Sequence, residues 1–408
     1  MRNRRQSQVR TRAYAGIVVA LALAAVVATA QAGQGGYVAV DLGTLENPGS
    51  SVAVAISPSG QVVGYAGVGP LGTSHAFSWT RQTGMIDLGT LGGVASEAVA
   101  VSETGQVVGD SFVAGDPFAE HAFSWTKDGG MVDLGTLGGE SSHAVAVTPS
   151  GEVFGWSYLA GTFEYHAFEW TQGGGMVDLG TQGSGFSRPS DVNARGEVVG
   201  FSGGTAFSWT KQTGMVDLGR LPVHVAGISF ATAVSPGGQV VGFDTGATVT
   251  ATHAFSWTKQ DGMIDLGTPP GTDDSFAIGV TPSGGVAGYG DHYESLTGQT
   301  IVRAFWWTRQ NGMVPVGPPT GIETRPYAVS TTGLVVGITD ATTDHHRHAF
   351  AWTERGGLID LGTFGGFLSV AYAANARGEI VGTSALPNAP NPGGGFRADT
   401  HAVLWEPA

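Results

Sequence analysis

Apolar and polar positions alternate along this chain in short runs, and the runs recur. In the stretch HAFSW, His75, Phe77 and Trp79 fall on one side of an extended strand, and Ala76 and Ser78 fall on the other. One side of each such strand is bulky and the other is small. The HAFSWT block starts at His75, His121 and His253, with variants from His166, Thr205, Arg303, His348 and His401. Successive starts lie 39 to 53 residues apart. Between them recur GMxDLGT, as in Gly84 to Thr90, SxAxAVS, as in Ser96 to Ser102, and GxVVG, as in Gly105 to Gly109. Each block is rich in Val, Ile, Phe or Trp and bounded by Gly, Pro, Ser or Asn, which are strand signals with turn punctuation.

Four short strands per repeat predict an all-β fold, an eight-bladed β-propeller of four-stranded antiparallel blades. We assign SxAxAVS, with its small side chains, to the innermost strand A. GxVVG is strand B, HAFxWT strand C and GMxDLG the outer strand D. The chain ends decide the topology. Residues 37–45 read as a strand D with nothing before it, and the C-terminal repeat supplies A, B and C but no D. Joining the two completes the eighth blade and removes open edges. A β-solenoid is the competing architecture, and it would carry distinct polar caps. The bulky face of one blade should fill against the small face of the next.

Together, HAFSWT, GMxDLGTLGG, SxAxAVS and GQVVG resemble the HAF family of bacterial extracellular repeats, over residues 37–408. The blade order is also similar to kelch repeats, without their Gly-Gly doublet in strand B. The HAF resemblance implies export and a propeller-like repeat; it implies no reaction. The copies depart from the pattern in places. Thr205 and Arg303 replace the His, and Pro315-Val316-Gly317 replaces Asp-Leu-Gly.

Composition narrows the function classes. The chain has 408 residues with 67 Gly and no Cys, which excludes disulfides and thiolate chemistry. Residues 1–32 read as a signal peptide. Five Arg precede an apolar run over 13–30, and Ala30-Gln31-Ala32 offers a cleavage pattern after Ala32. The protein is then secreted or periplasmic, with residues 33–408 as one propeller and no stable membrane insertion after cleavage. An uncleaved anchor is the alternative. Removing the leader takes the net charge from −14 to −19, which disfavours nucleic acid as a partner.

The candidate chemistry is sparse. A once-per-blade His (75, 121, 166, 253, 348, 401) reads as structural, because copies spread round a ring cannot converge on a metal. Six blades carry both this His and the Asp of DLG, which suggests a His–Asp hydrogen bond within the blade. The strand C tryptophans (Trp79, Trp125, Trp170, Trp209, Trp257, Trp307, Trp352, Trp405) read as core, while Trp156 and Trp306 lie off that position and are expected to be exposed. The B–C loops vary most between copies, and they share a face with the D–A loops. That face is expected to be acidic, with binding candidates Asp110, Asp116, Trp156, Asp291, Asp340 and Asp344. The opposite turns carry Arg81, Lys127, Lys211, Lys259, Arg309 and Arg355 and are expected to be more basic. The acidic loops suit Ca²⁺ as a cofactor. Asp344, His345, His346 and His348 are weak transition-metal candidates. No GxSxG, HExxH or Walker A motif occurs. These observations favour an exported, monomeric, non-catalytic scaffold binding a carbohydrate, an envelope component or a protein. A carbohydrate-active hydrolase or lyase and a structural surface-layer component are the alternatives.

Overall fold

A computed structural model describes residues 31–32, 36–47, 49–69, 73–183, 185–224, 226–246, 252–318, 321–340, 342, 346–387 and 399–408. These residues hold no helix. The strands form eight antiparallel sheets, and the molecule is a β-propeller. Seven blades run consecutively over 51–87, 92–133, 138–178, 187–219, 227–265, 274–315 and 324–360, each with strands A to D in that order. In the eighth, Ser369–Ala374, Ile380–Ala385 and Thr400–Pro407 are strands A, B and C, and Tyr37–Asp41 pairs beside the last as D. A two-residue strand, Gln31–Ala32, lies outside it.

The ring closes as the chain ends predict. Tyr37 is opposite Pro407 and Asp41 opposite Val403. The closing strand ends at Asp41 rather than residue 45. Asp41 Oδ1 accepts the Gly43 amide at 2.8 Å and turns the chain, although Leu42 N still donates to Ala402 O. Blade 8 then docks on blade 1, where Val381, Ala402 and Leu404 share a buried cluster with Ala53, Phe77 and Trp79. Strand A of each blade meets strand A of the next, including the last and the first, so A lines the axis.

Blade-to-blade packing follows the large-on-small rule. Ala76 and Val63 of blade 1 receive Phe123 and Trp125 of blade 2. The strand C phenylalanines are fully buried, and all eight repeat tryptophans are buried or packed against the core clusters.

Two devices were not legible as such in the repeat. Strand A slips register midway in every blade, as between Ala98 and Ala100. The bulge presses a carbonyl toward strand B, and a Cβ on Gly109 would sit 2.0 Å from Glu97 O. The second Gly of GxVVG is therefore fixed by backbone approach. The Ser opening strand A ties neighbouring blades together. Ser142 Oγ donates to Gly135 O at 2.6 Å and accepts from Ala122 N at 2.9 Å, with Ser142 itself fully buried. Ser51, Ser96, Ser187, Ser229, Ser275 and Ser369 do the same at their seams.

Candidate functional site

Antiparallel order places A–B and C–D turns on one face of the ring and B–C and D–A loops on the other. The turn face is uniform. Three of its six expected cations, Arg81, Lys211 and Arg309, pair with acids of the same face, as does Arg377, so acids are interspersed with the cations there. Arg81 pairs with Glu406, Arg309 with Asp261 at 2.6 Å, and Arg377 with Glu379 at 2.6 Å. Lys211 lies 2.7 Å from both Glu152 and Glu169, which raises the Lys211 ammonium above its usual range and lowers Glu152. Clefts of about 530 Å³ open between blades here, one lined by Gln239, Ser256, Trp307 and Arg309 and another by Gln106, Ser124, Glu152 and Trp170.

The six expected His–Asp contacts form. Nδ1 of His75, His121, His166, His253, His348 and His401 lies 2.7–3.0 Å from Asp87, Asp133, Asp178, Asp265, Asp360 and Asp41. Each Asp also accepts the amide of the Gly two residues on, as at Gly135. The carboxylate thus fixes both the ring and the turn into the D–A loop.

The loop face carries the sequence-predicted candidates in two separate sectors. In the first, Asp110 lies within strand B of blade 2 (Val107–Val113). It accepts from His143 Nδ1 at 3.0 Å and from Ala144 N at 2.8 Å across the seam to blade 3. His143 stacks on Trp156, with centroids 4.2 Å apart, and the Arg188 guanidinium lies 5.4 Å from the Trp156 ring. Tyr165 tilts against Trp156 at 4.9 Å and against Phe186 at 4.7 Å. Trp156 is therefore half-buried and holds the other rings in place. Asp116 lies in the blade 2 B–C loop, where Oδ1 accepts the Phe118 amide. Burial raises the Glu97 carboxyl, reinforced by Glu120 and Asp110; burial also raises Glu120, where Asp110 adds to the effect and His143 opposes it.

In the second sector, Asp291 stands opposite Asp274 in blade 6. Burial raises its carboxyl, and Asp274 and Asp273 add to this against Arg325. Asp340 accepts the amides of Ile322 and Glu323 at 2.9–3.0 Å. It is a loop brace. Asp344 and His345 lie outside the described residues, His348 is held by Asp360, and no cluster of three or more metal-ligating side chains occurs among the described residues.

Trp306 contradicts its expected exposure. It is 5% accessible and packs with Ala304, Val316, Val335 and Trp352 between blades 6 and 7. Space for the indole comes from Gly285, whose Cβ would lie 2.1 Å from it.

The aromatic residues at the mouth of the axis went unnoticed in the sequence. Phe201, Phe230, Phe243, Phe276 and Tyr289 form a ladder with centroids 4.4–5.1 Å apart, and Arg325 caps Tyr289 at 4.4 Å. Tyr327 and Tyr372 continue it at 5.7 Å. For Phe201, Phe243 and Tyr289 the signal was the residue after the strand B glycine, which is also aromatic at Tyr65 and Trp156; Phe230, Phe276, Tyr327 and Tyr372 stand on strand A.

No family model matches the chain, and no curated protein matches it. Solved structures do. The Dos1 propeller is 10% identical with a TM-score of 0.50, over 90% of this chain and 94% of that one. An oligogalacturonate lyase in complex with manganese is 10% identical at a TM-score of 0.49, over 82% and 96%. A prolyl endopeptidase is 12% identical at 0.48 over 75% of this chain, which spans about half that protein's length, 47%. At such identity the likeness is one of fold, and the fold is the propeller.

Proposed function

We propose that the chain is an exported HAF-type repeat protein acting as a non-catalytic binding scaffold through its B–C and D–A loop face. One observation carries this reading. Most of the large apolar side chains left exposed, among them Val94, Phe118, Phe163, Val223 and Leu296, lie on this face; Val132, Val177 and Val216 stand on the outer D strands, and among the described residues none lies within an A–B or C–D turn. Exposed apolar groups set among carboxylates mark an interaction surface. On the turn face, by contrast, several charges are taken up in ion pairs, as at Arg81, Lys211, Arg309 and Arg377. The carboxylates offer acceptors for hydroxyls, ammonium groups or Ca²⁺, and the carbohydrate, envelope and protein classes of ligand all fit that chemistry.

The test uses chain from Gly33 onward on glycan and peptide arrays, with and without Ca²⁺. Specific retention without turnover is expected. Cleavage of a polysaccharide would replace this reading with a hydrolase or lyase, and assembly of the pure protein into sheets would replace it with a surface-layer component.

A further inference from the structure

We propose that the loop face grips a partner protein through two neighbouring fingers, and that this partner presents basic surface around apolar pockets. The fingers are the B–C hairpins of blades 2 and 3, tipped by Phe118 and Phe163. This inference rests on the binding role proposed above and names its sector and its partner.

The fingers are built alike. In blade 2, Val113 N donates to Ala119 O; in blade 3, Leu159 N donates to Glu164 O. At the tips, Asp116 Oδ1 accepts the Phe118 amide and Thr162 Oγ1 accepts the Glu164 amide. Each base is braced by its own D–A loop, with Leu91 bridging Val113 and Leu137 bridging Leu159. Glu120 N also donates to Ser141 Oγ of blade 3, which couples the two hairpins. On these braced supports Phe118 is 86% exposed and Phe163 93% exposed.

Such exposure selects among occupants. A sugar-stacking platform is a ring held flat with one face backed by protein, and at these exposures neither phenyl has such backing. Rings projecting from braced loops suit insertion into a partner's pockets, the usual role of aromatic anchors. Lipid insertion is disfavoured by charge, because Asp116, Glu120 and Glu164 flank the tips and repel an anionic bilayer. Those carboxylates, with Glu97 and Asp110 behind them, meet a single Arg in this sector, Arg188, which is engaged over Trp156. Complementarity therefore calls for Lys or Arg on the partner. Glu97, Glu120 and Asp110 repel one another, an effect that His143, 3.0 Å from Asp110, offsets at Glu120, and an incoming cation relieves that repulsion.

The experiment applies the full chain to a synthetic peptide array graded in net charge and aliphatic content. Glycans and vesicles of phosphatidylcholine, with and without phosphatidylserine, run alongside. Basic peptides bearing apolar side chains should be retained. Phe118→Ser and Phe163→Ser should each weaken retention about tenfold or more with unchanged melting, since neither ring is packed. Glu120→Gln with Glu164→Gln should flatten the salt dependence. Retention intact in the double Phe variant would move the contact elsewhere on the face, sinking the fingers and sparing the scaffold role. Glycan or vesicle retention lost with the same Phe residues would sink the protein partner. Retention of nothing would sink both readings.

Discussion

In blade 2 the turn-side end of the sheet is held by Gln106, whose Nε2 donates to Ser124 Oγ at 2.8 Å. In blade 6 the same two positions are Gly285 and Trp306, and an indole fills the space that the amide and hydroxyl occupy elsewhere. The loop-side end diverges as well. Blade 2 pairs His121 with Asp133, whereas blade 6 has Arg303, whose guanidinium donates to the carbonyls of Gly321 and Ile322 at 3.1 and 3.3 Å. Both blades keep a buried Phe, 123 or 305, in strand C and a close-packed Gly, 109 or 288, in strand B. The backbone is thus fixed by packing and close approach. The polar groups are exchangeable, but only as sets, because a buried donor left without its acceptor is costly.

The sharpest way to break this comparison is Trp306→Ser. It should cost about 3–5 kcal/mol by emptying the seam between blades 6 and 7. Adding Gly285→Gln should recover about 1 kcal/mol by recreating the blade 2 bond. Denaturant unfolding decides it, and a double variant no more stable than the single would show that the two positions are not one set.

Ser142→Ala comes next. It orphans Ala122 N and Gly135 O at a buried seam and should cost about 1–3 kcal/mol. An unchanged denaturation midpoint would remove the seam serine from the account of ring stability.

Blade 4 sharpens the comparison in a third way. Where blade 2 has Ala100 and blade 6 has Gly279, it has Asp191, pushed up to about 6 by burial, although the amides of Val234 and Val192 donate to it and pull the other way. A carboxyl raised in the folded state binds more protons folded than unfolded. Its contribution is full at acid pH and is lost as pH rises through about 6. Asp191→Asn should flatten that fall, on the order of 1–2 kcal/mol between acid and neutral pH once residual solvent contact is allowed for. Parallel pH profiles for the two proteins would refute the burial of this charge.

The smallest effect is expected from His121→Asn. The pair is partly exposed and Asp133 keeps its bond to the Gly135 amide, so the loss should be below about 1 kcal/mol, read as a small drop in melting temperature.

Much of the fold was readable because a period of two has only one structural meaning. Phe77 and Trp79 against Ala76 and Ser78 gave both the strand and the asymmetric seam. The joint absence of His and Asp from the sixth copy pointed to their contact. The candidate site was less legible. Trp156 and Asp110 stood out by departing from the repeat, yet so did Trp306, and it is core. A departure marks a position without saying which way it faces, and the facing depended on Gly285, twenty-one residues earlier. The aromatic ladder was overlooked because its members sit on different strands and become neighbours only when blades meet.

By itself, the chain's alternation and its complementary half-finished ends determined an eight-unit β array and how its termini are used. Those are local properties, fixed by backbone pleat and by the demand that every edge be paired. What only the tertiary structure decided is which departures reach solvent and which fill a seam, where the bulge forces glycine, and that Asp110, His143 and Trp156 meet. Each of these depends on distances between blades, and such distances arise from closing the ring rather than from any one repeat.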